Sequence, residues 1–323
     1  PGRKIYIAGS DEDGACYWVN GSRVELPGGD WATDIVVVDG DVYTSGTCGE
    51  YACYWINQEK YELPGLWGEG EAIAVDGNDV YVAGWFDNGS CYWKNGQKIN
   101  LTTNGESQAF AIGVRSNGSV YIGGSYINNH HYVIPCFWKD GNNRTNLPIP
   151  NHGDGEVYDI TFGEDGNMRY YAGFTMKPDN LTGYAPKAAR WRHTVRTDLP
   201  DGTSDISLYG TGSYGITIDG EDIYVAGYTD WIGDYYDDNT GGTFPRYWKN
   251  NTAHDLEGGP NTIFGTGQAN DIRVADGNVV VVGIATGGPT LGESACYWLN
   301  GELNYLEDVI GEQSSEAKGV FIE

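Results

Sequence analysis

Three aspartates share one place in a recurring pattern. Asp34, Asp159 and Asp271 each stand immediately before the first apolar residue of an Ile/Val-rich segment, and the matching places elsewhere hold Ala72, Ala111, Gly215 and Gly319. One position earlier stand Thr33, Glu71, Phe110, Tyr158, Tyr214, Asn270 and Lys318. If the repeats set these places in a ring, the carboxylates converge on one space beside two tyrosines and an asparagine. Converging carboxylates suit a cation, a polyol or a basic group, and hard oxygen ligands suit Ca²⁺. They also suit glycoside cleavage, for which a retaining mechanism needs two carboxyls about 5–5.5 Å apart. Against this stands a structural role, in which small or acidic residues cap strand ends or hold internal water.

The stretch from Asp230 to Asn239 is acidic and aromatic together, with Trp231, Tyr235 and Tyr236 among its carboxylates. Stacking rings beside hydrogen-bonding acids suit a sugar, and the acids lack the regular spacing of an EF-hand loop. His130 and His131 are adjacent but have no evident third metal ligand, so they read as a surface loop. Gly210-Thr211-Gly212-Ser213-Tyr214-Gly215 matches a dinucleotide fingerprint by letters only, because no strand–turn–helix context surrounds it. The nucleophile elbow, the zinc-protease His-Glu-x-x-His pair and the P-loop are absent.

The elements that must position these residues are repeats. A marker tryptophan recurs at Trp18, Trp55, Trp93, Trp138, Trp191, Trp248 and Trp298, and the wrap from Trp298 through the end of the chain to Trp18 completes seven units over 323 residues. Each unit reads as four short strands, A to D: an Ile-x-Val piece, a Val-Tyr-Val-Ala-Gly piece, a Tyr-Trp piece, and a piece ending at Leu. Asp-Gly or Asn-Gly turns, such as Asp39-Gly40 and Asn95-Gly96, join A to B and C to D. Seven four-stranded units of this length predict an all-β, seven-bladed β-propeller with four antiparallel strands per blade, occupying residues 1–323 as a single domain. The chain begins in a strand B (Lys4–Gly9) and ends in a lone strand A (Ala317–Ile322), so the C-terminal strand should complete the first blade.

The A–B and C–D turns share one face, and the B–C and D–A connections share the other. Blades one to three have five-residue B–C loops (Ser10–Gly14, Thr47–Tyr51, Trp85–Gly89), whereas blades four to seven have loops at Ser125–Ile134, Phe174–Lys187, Tyr228–Phe244 and Ile284–Ser294. Long loops on a rigid scaffold are a usual seat of function, which predicts a lopsided pocket nearest blades four to seven.

Composition agrees and excludes. The net charge of −26 disfavours nucleic acid as a partner. Aromatics at 13% are too many for a disordered chain, and 49 glycines are too many for a helical bundle. No apolar run approaches a transmembrane length; the longest, Val279–Val282, reads as a strand. Five of the six cysteines precede an aromatic-Trp pair one repeat apart, too far for disulfides, so they read as buried thiols; only Cys48 and Cys53 lie close enough to pair. Seven Asn-x-Ser/Thr sequons point outward from the cell, although Asn20 and Asn117 also sit in hairpin turns.

The Val-Tyr-Val-Ala-Gly … Tyr-Trp-Lys-Asn-Gly … Leu unit, clearest from Asp79 to Leu101 and from Asp222 to Leu256, resembles propeller repeats of bacterial secreted proteins and lipoproteins of uncharacterised function. The resemblance implies architecture and brings no catalytic residues. The sequence therefore points first to a non-enzymatic module, extracellular or at the cell surface, that binds a glycan, peptide or protein through Asp34, Asp159, Asp271, Tyr158, Tyr214, Asn270, Trp231, Tyr235 and Tyr236. The alternatives are a self-assembling structural subunit and a glycan hydrolase or lyase using channel carboxylates. No cofactor is expected beyond Ca²⁺.

Overall fold

Two-residue turns set the hairpins. Asn20-Gly21, Asp39-Gly40, Asn95-Gly96, Asp140-Gly141, Asp276-Gly277 and Asn300-Gly301 hold both residues at positive φ, from 49° to 92°. That backbone matches the twist of paired strands. In the C–D turns the first residue has a second task. The Oδ1 atoms of Asn20, Asn57, Asn95, Asp140, Asn250 and Asn300 accept the N–H of Ile5, Val42, Val80, Val120, Ile223 and Val279 at 2.8–3.1 Å, which fastens each turn to the start of strand B.

The computed structural model describes residues 3–87, 89–101, 106–150, 153–179, 183–201, 208–231, 242–258, 266–287, 292–307 and 314–323. They form seven four-stranded antiparallel sheets, each in the order A-B-C-D. The A strands are Glu316–Ile322 in blade one, then Trp31–Val38, Gly68–Asp76, Ser107–Val114, Gly155–Phe162, Leu208–Asp219 and Gly267–Ala275 in blades two to seven. Each touches strand A of both neighbouring blades, so the A strands enclose a central channel. The C-terminal strand pairs with Ile5–Asp11, from Ile5 opposite Ile322 to Ser10 opposite Glu316, and closes the first blade as expected. Among the described residues no helix is long and apolar enough to cross a membrane.

The seven marker tryptophans are the largest fully buried side chains. Their burial leaves an indole N–H to satisfy, and for six of them the preceding blade supplies the acceptor. Trp55, Trp93, Trp191 and Trp248 donate to the carbonyls of Pro27, Pro64, Pro148 and Pro200, while Trp298 and Trp18 donate to Glu257 and Glu307. Each acceptor directly follows the Leu that ends strand D. The tryptophan thus fills the space between blades and staples one to the next. All six cysteines are buried thiols outside any disulfide, Cys48 and Cys53 included.

The B–C connections differ from the loops expected. In blades one to three the ladders run on to Asp11 opposite Gly14, Cys48 opposite Tyr51 and Phe86 opposite Gly89, so only two residues separate the paired strands. In blade five most of Phe174–Lys187 is paired strand, with Thr175 opposite Lys187 and Pro178 opposite Tyr184. The two prolines of this stretch read as loop, yet a hairpin that extends beyond its sheet has edges where a missing N–H is tolerated. The pairing likewise reaches Ile127 opposite Val133, Trp231 opposite Gly242 and Thr286 opposite Glu293.

Candidate functional site

Every strand A carries an irregularity at the same place, and that of blade six has a second between Leu208 and Gly210. The A–B register slips between Ala32 and Asp34, Gly70 and Ala72, Ala109 and Ala111, Val157 and Asp159, Ser213 and Gly215, Ala269 and Asp271, and in blade one opposite Ala8 and Gly9. The residue skipped in each slip is Thr33, Glu71, Phe110, Tyr158, Tyr214, Asn270 or Lys318. These are β-bulges, and a bulge re-aims the side chain of its extra residue. Seven bulges turn seven side chains into the mouth of the channel, where all seven line one cavity of about 80 Å³.

The bulge explains the glycine that ends each strand-B motif. A Cβ on Gly9, Gly46, Gly84, Gly124, Gly173, Gly227 or Gly283 would overlap the backbone carbonyl oxygen of Glu316, Trp31, Glu69, Gln108, Glu156, Gly212 or Gln268 on the bulged strand. We expect Gly84→Ala to destabilise the protein by about 1–3 kcal/mol through overpacking. A denaturant titration measures it.

The mouth has two unlike halves. Blades four to six present an aromatic arc, with Phe110 and Tyr158 ring centroids 5.1 Å apart and Tyr158 and Tyr214 5.0 Å apart. Phe174 and Tyr228 stack behind Tyr158 and Tyr214 at 6.0 and 5.6 Å. The Tyr158 hydroxyl donates to Glu156 at 2.5 Å, which fixes the ring. Blades seven, one, two and three present Asn270, Lys318, Thr33 and Glu71. Asn270 Nδ2 donates to Glu316 at 3.1 Å and to the Ala317 carbonyl at 2.8 Å, and Lys318 pairs with Glu316 at 2.6 Å. Thr33 Oγ1 donates to the Gly70 carbonyl at 2.6 Å. Glu71 accepts the Trp85 indole N–H at 3.2 Å. Burial, then the neighbouring Glu69, pushes the Glu71 carboxyl up to about 7, so near neutrality it can both donate and accept hydrogen bonds.

The three aspartates form the tier below, and their oxygens are engaged. In each, Oδ1 accepts the next residue's N–H (Ile35, Ile160, Ile272), while Oδ2 accepts an N–H from the following blade (Ile73, Ile216, Val320), all at 2.7–3.0 Å. In the blade before Asp271 and the blade before Asp34 the equivalent residue is a glycine, Gly215 or Gly319, and a Cβ there would crowd the aspartate. Each aspartate is therefore a clip between blades. Their common countercharge, Arg273, was not evident from the repeat pattern. Its Nη1 lies 2.6 Å from Asp271 Oδ1 and 4.0 Å from Asp159 Oδ2. Burial pushes Asp34 up to about 6 and Asp159 up to about 8, and it raises Asp271 against the pull of Arg273.

The structure thus brings Asp34, Asp159, Asp271, Tyr158, Tyr214 and Asn270 into one cavity. Trp231 ends strand B of blade six opposite Leu208 and Gly242, and Tyr235 and Tyr236 lie outside the described residues. Among the described residues no group of three or more His, Cys, Asp or Glu side chains is arranged to hold a metal ion.

No protein-family model matches this chain, and no curated protein matches it. Solved structures do. The tricorn protease aligns over 100% of this chain and 36% of its own length, with a TM-score of 0.52 and 12% identity. The β-propeller domain of the Trilobed protease from Pyrococcus furiosus aligns over 94% of this chain and 92% of its own, at 0.51 and 11%. That domain is described as having an open velcro topology, whereas here the C-terminal strand completes the first blade. The Niastella koreensis GH74 enzyme aligns over 98% of this chain and 52% of its own, at 0.51 and 15%. The chain thus spans about a third of the tricorn protease and about half of the GH74 enzyme, and at these identities what it shares with all three is the β-propeller fold.

Proposed function

We propose that the protein is a non-enzymatic binding module, extracellular or at the cell surface, that seats a saccharide in the channel mouth. The observation that carries this reading is the aromatic arc Phe110–Tyr158–Tyr214 facing the polar arc of Glu71, Thr33, Asn270 and Lys318. A pyranose ring offers C–H faces to aromatic rings and hydroxyls to donors and acceptors, and the two halves of the mouth match those two needs. The acidity of the mouth and of the whole chain favours neutral or amine-bearing sugars over uronic or sulfated ones. Asp34, Asp159 and Asp271 shape the floor.

Binding is favoured over cleavage because the aspartates of the lower tier are engaged with backbone N–H groups, and Glu71 is the one carboxyl among the seven bulge residues of the upper tier. The acidic surface, the sequons and the likeness to secreted propeller repeats support a place outside the cell. A glycan array tests the reading. Neutral or amine-bearing sugars should be retained, and Tyr158→Ala should weaken that binding at least tenfold while the variant still unfolds cooperatively. Undiminished binding by the variant contradicts the reading, and release of shortened sugars from a bound glycan replaces it with hydrolysis.

A further inference from the structure

Four of the eleven tryptophans fall outside the repeat marker: Trp31, Trp67, Trp85 and Trp231. Two of these are the most exposed aromatic rings described, Trp31 at 56% and Trp67 at 60%, and Leu66 and Tyr51 are exposed with them. They gather at one place. Trp31 opens strand A of blade two, two residues before Thr33 of the mouth, and pairs with Thr47. Tyr51 pairs with Cys48 on one side and Leu66 on the other. Trp67 follows, in the connection that leads into strand A of blade three, where Glu69 pairs with Trp85 and Glu71 accepts the Trp85 indole N–H.

Trp67 also adopts φ 57°, a left-handed backbone that is a genuine outlier for a bulky residue. Such strain collects at ligand clamps and similar sites. Here it holds an indole in solvent instead of burying it.

We infer that this surface is an outer subsite that extends the channel mouth into a track for a glycan chain, with Trp31 and Trp67 as stacking platforms for sugars beyond the one in the mouth; the inference rests on the channel-mouth reading. Asp30 and Glu50 directly precede Trp31 and Tyr51, and Glu69 follows Trp67 by two residues, so the rings come with neighbouring acceptors of the kind a polyhydroxylated chain requires. The core of a protein interface is instead depleted of charge. The carboxylates assign the track to neutral or amine-bearing sugars.

The test uses β-1,4-linked glucose and glucosamine oligomers, two and six units long, titrated calorimetrically into wild type, Trp31→Ala, Trp67→Ala and Tyr158→Ala. The wild type should bind a hexamer at least tenfold more tightly than its dimer. Trp31→Ala and Trp67→Ala should each erase most of that gain and leave dimer binding unchanged, and the hexamer alone should shield tryptophan fluorescence from acrylamide. A hexamer that binds no tighter than its dimer, or that ignores both tryptophan substitutions, overturns the track and leaves the mouth reading standing. Hexamer binding that needs both tryptophans but not Tyr158 overturns the mouth reading, and with it the track as an extension of the mouth. No binding of any of these oligomers overturns both. Self-association of the chain abolished by Trp67→Ala overturns the track by making the patch a protein interface.

Discussion

Trp93→Ala is expected to lower the unfolding free energy by about 3–5 kcal/mol, the range for truncating a fully buried aromatic core residue. Trp93 is buried between the cysteine, tyrosine and leucine positions of two blades, and its indole N–H donates to the Pro64 carbonyl at 3.0 Å. Alanine leaves a cavity at the blade interface and an unpaired carbonyl, and both costs fall on the same staple. Trp93→Phe separates them, since it keeps most of the volume and loses the donor. It should cost less than the alanine variant and still exceed about 1 kcal/mol. Trp67→Ala is the control. That ring is exposed, so its loss should stay within about 0.5 kcal/mol. Guanidinium titrations of the three variants decide the matter, and equal losses at Trp93 and Trp67 would contradict the packing account.

The second large effect is a fall in stability with rising pH. Asp34 and Asp159 are held by burial up to about 6 and about 8 in the folded protein, and Asp271 is raised as well. In the unfolded chain these carboxyls titrate near 4. Between those values the folded state keeps protons that the unfolded state has released. Stability is therefore highest at the acid end of the window and declines as pH rises from about 4 to about 8. One unit of pKa difference corresponds to about 1.4 kcal/mol, and after allowance for partial exposure of Asp34 and Asp159 to the channel the decline amounts to roughly a few kcal/mol. Asp159→Asn should flatten the upper part of this slope. The asparagine retains one acceptor for two backbone donors, Ile160 and Ile216, so the variant starts less stable, and its deficit should shrink toward pH 8. A deficit that grows with pH would mean that Asp159 acts as an ordinary stabilising carboxylate.

The fold was legible because turn chemistry and marker residues repeat in register. Asn-Gly and Asp-Gly need positive φ, and the marker Trp and Leu bracket each blade, so seven units and their closure follow from spacing alone. The convergence of the strand-A openers was legible for the same reason. Equivalent positions in a closed ring meet at its axis, which is why Tyr158, Tyr214 and Asn270 fall in one cavity with the three aspartates.

Other features escaped for physical reasons. That adjacent residues such as Thr33 and Asp34, or Tyr158 and Asp159, both face the channel depends on a bulge in strand A, which a linear pattern does not display. The strand-B glycine was its only trace, and it read as a strand end. Arg273 occupies the middle of an Ile-x-Val piece, where other repeats hold residues such as Val36, Ala74 and Thr217, and that departure was the available signal. Trp31 and Trp67 were legible as tryptophans outside the marker series, but counting tryptophan as blade packing hid them. The extended hairpin of blade five read as a loop although Pro178 and Pro186 lie within its paired ladder.

The central claim is that a sugar sits in the channel mouth between the aromatic and polar arcs. The most direct measurement is a crystal structure of the protein grown with the β-1,4-linked glucosamine dimer at a concentration that saturates binding in solution. The account expects one sugar ring against Tyr158 and Tyr214, with a hydroxyl or amine within hydrogen-bonding distance of Glu71. A dimer seated elsewhere, with only water between Tyr158 and Glu71, would contradict it.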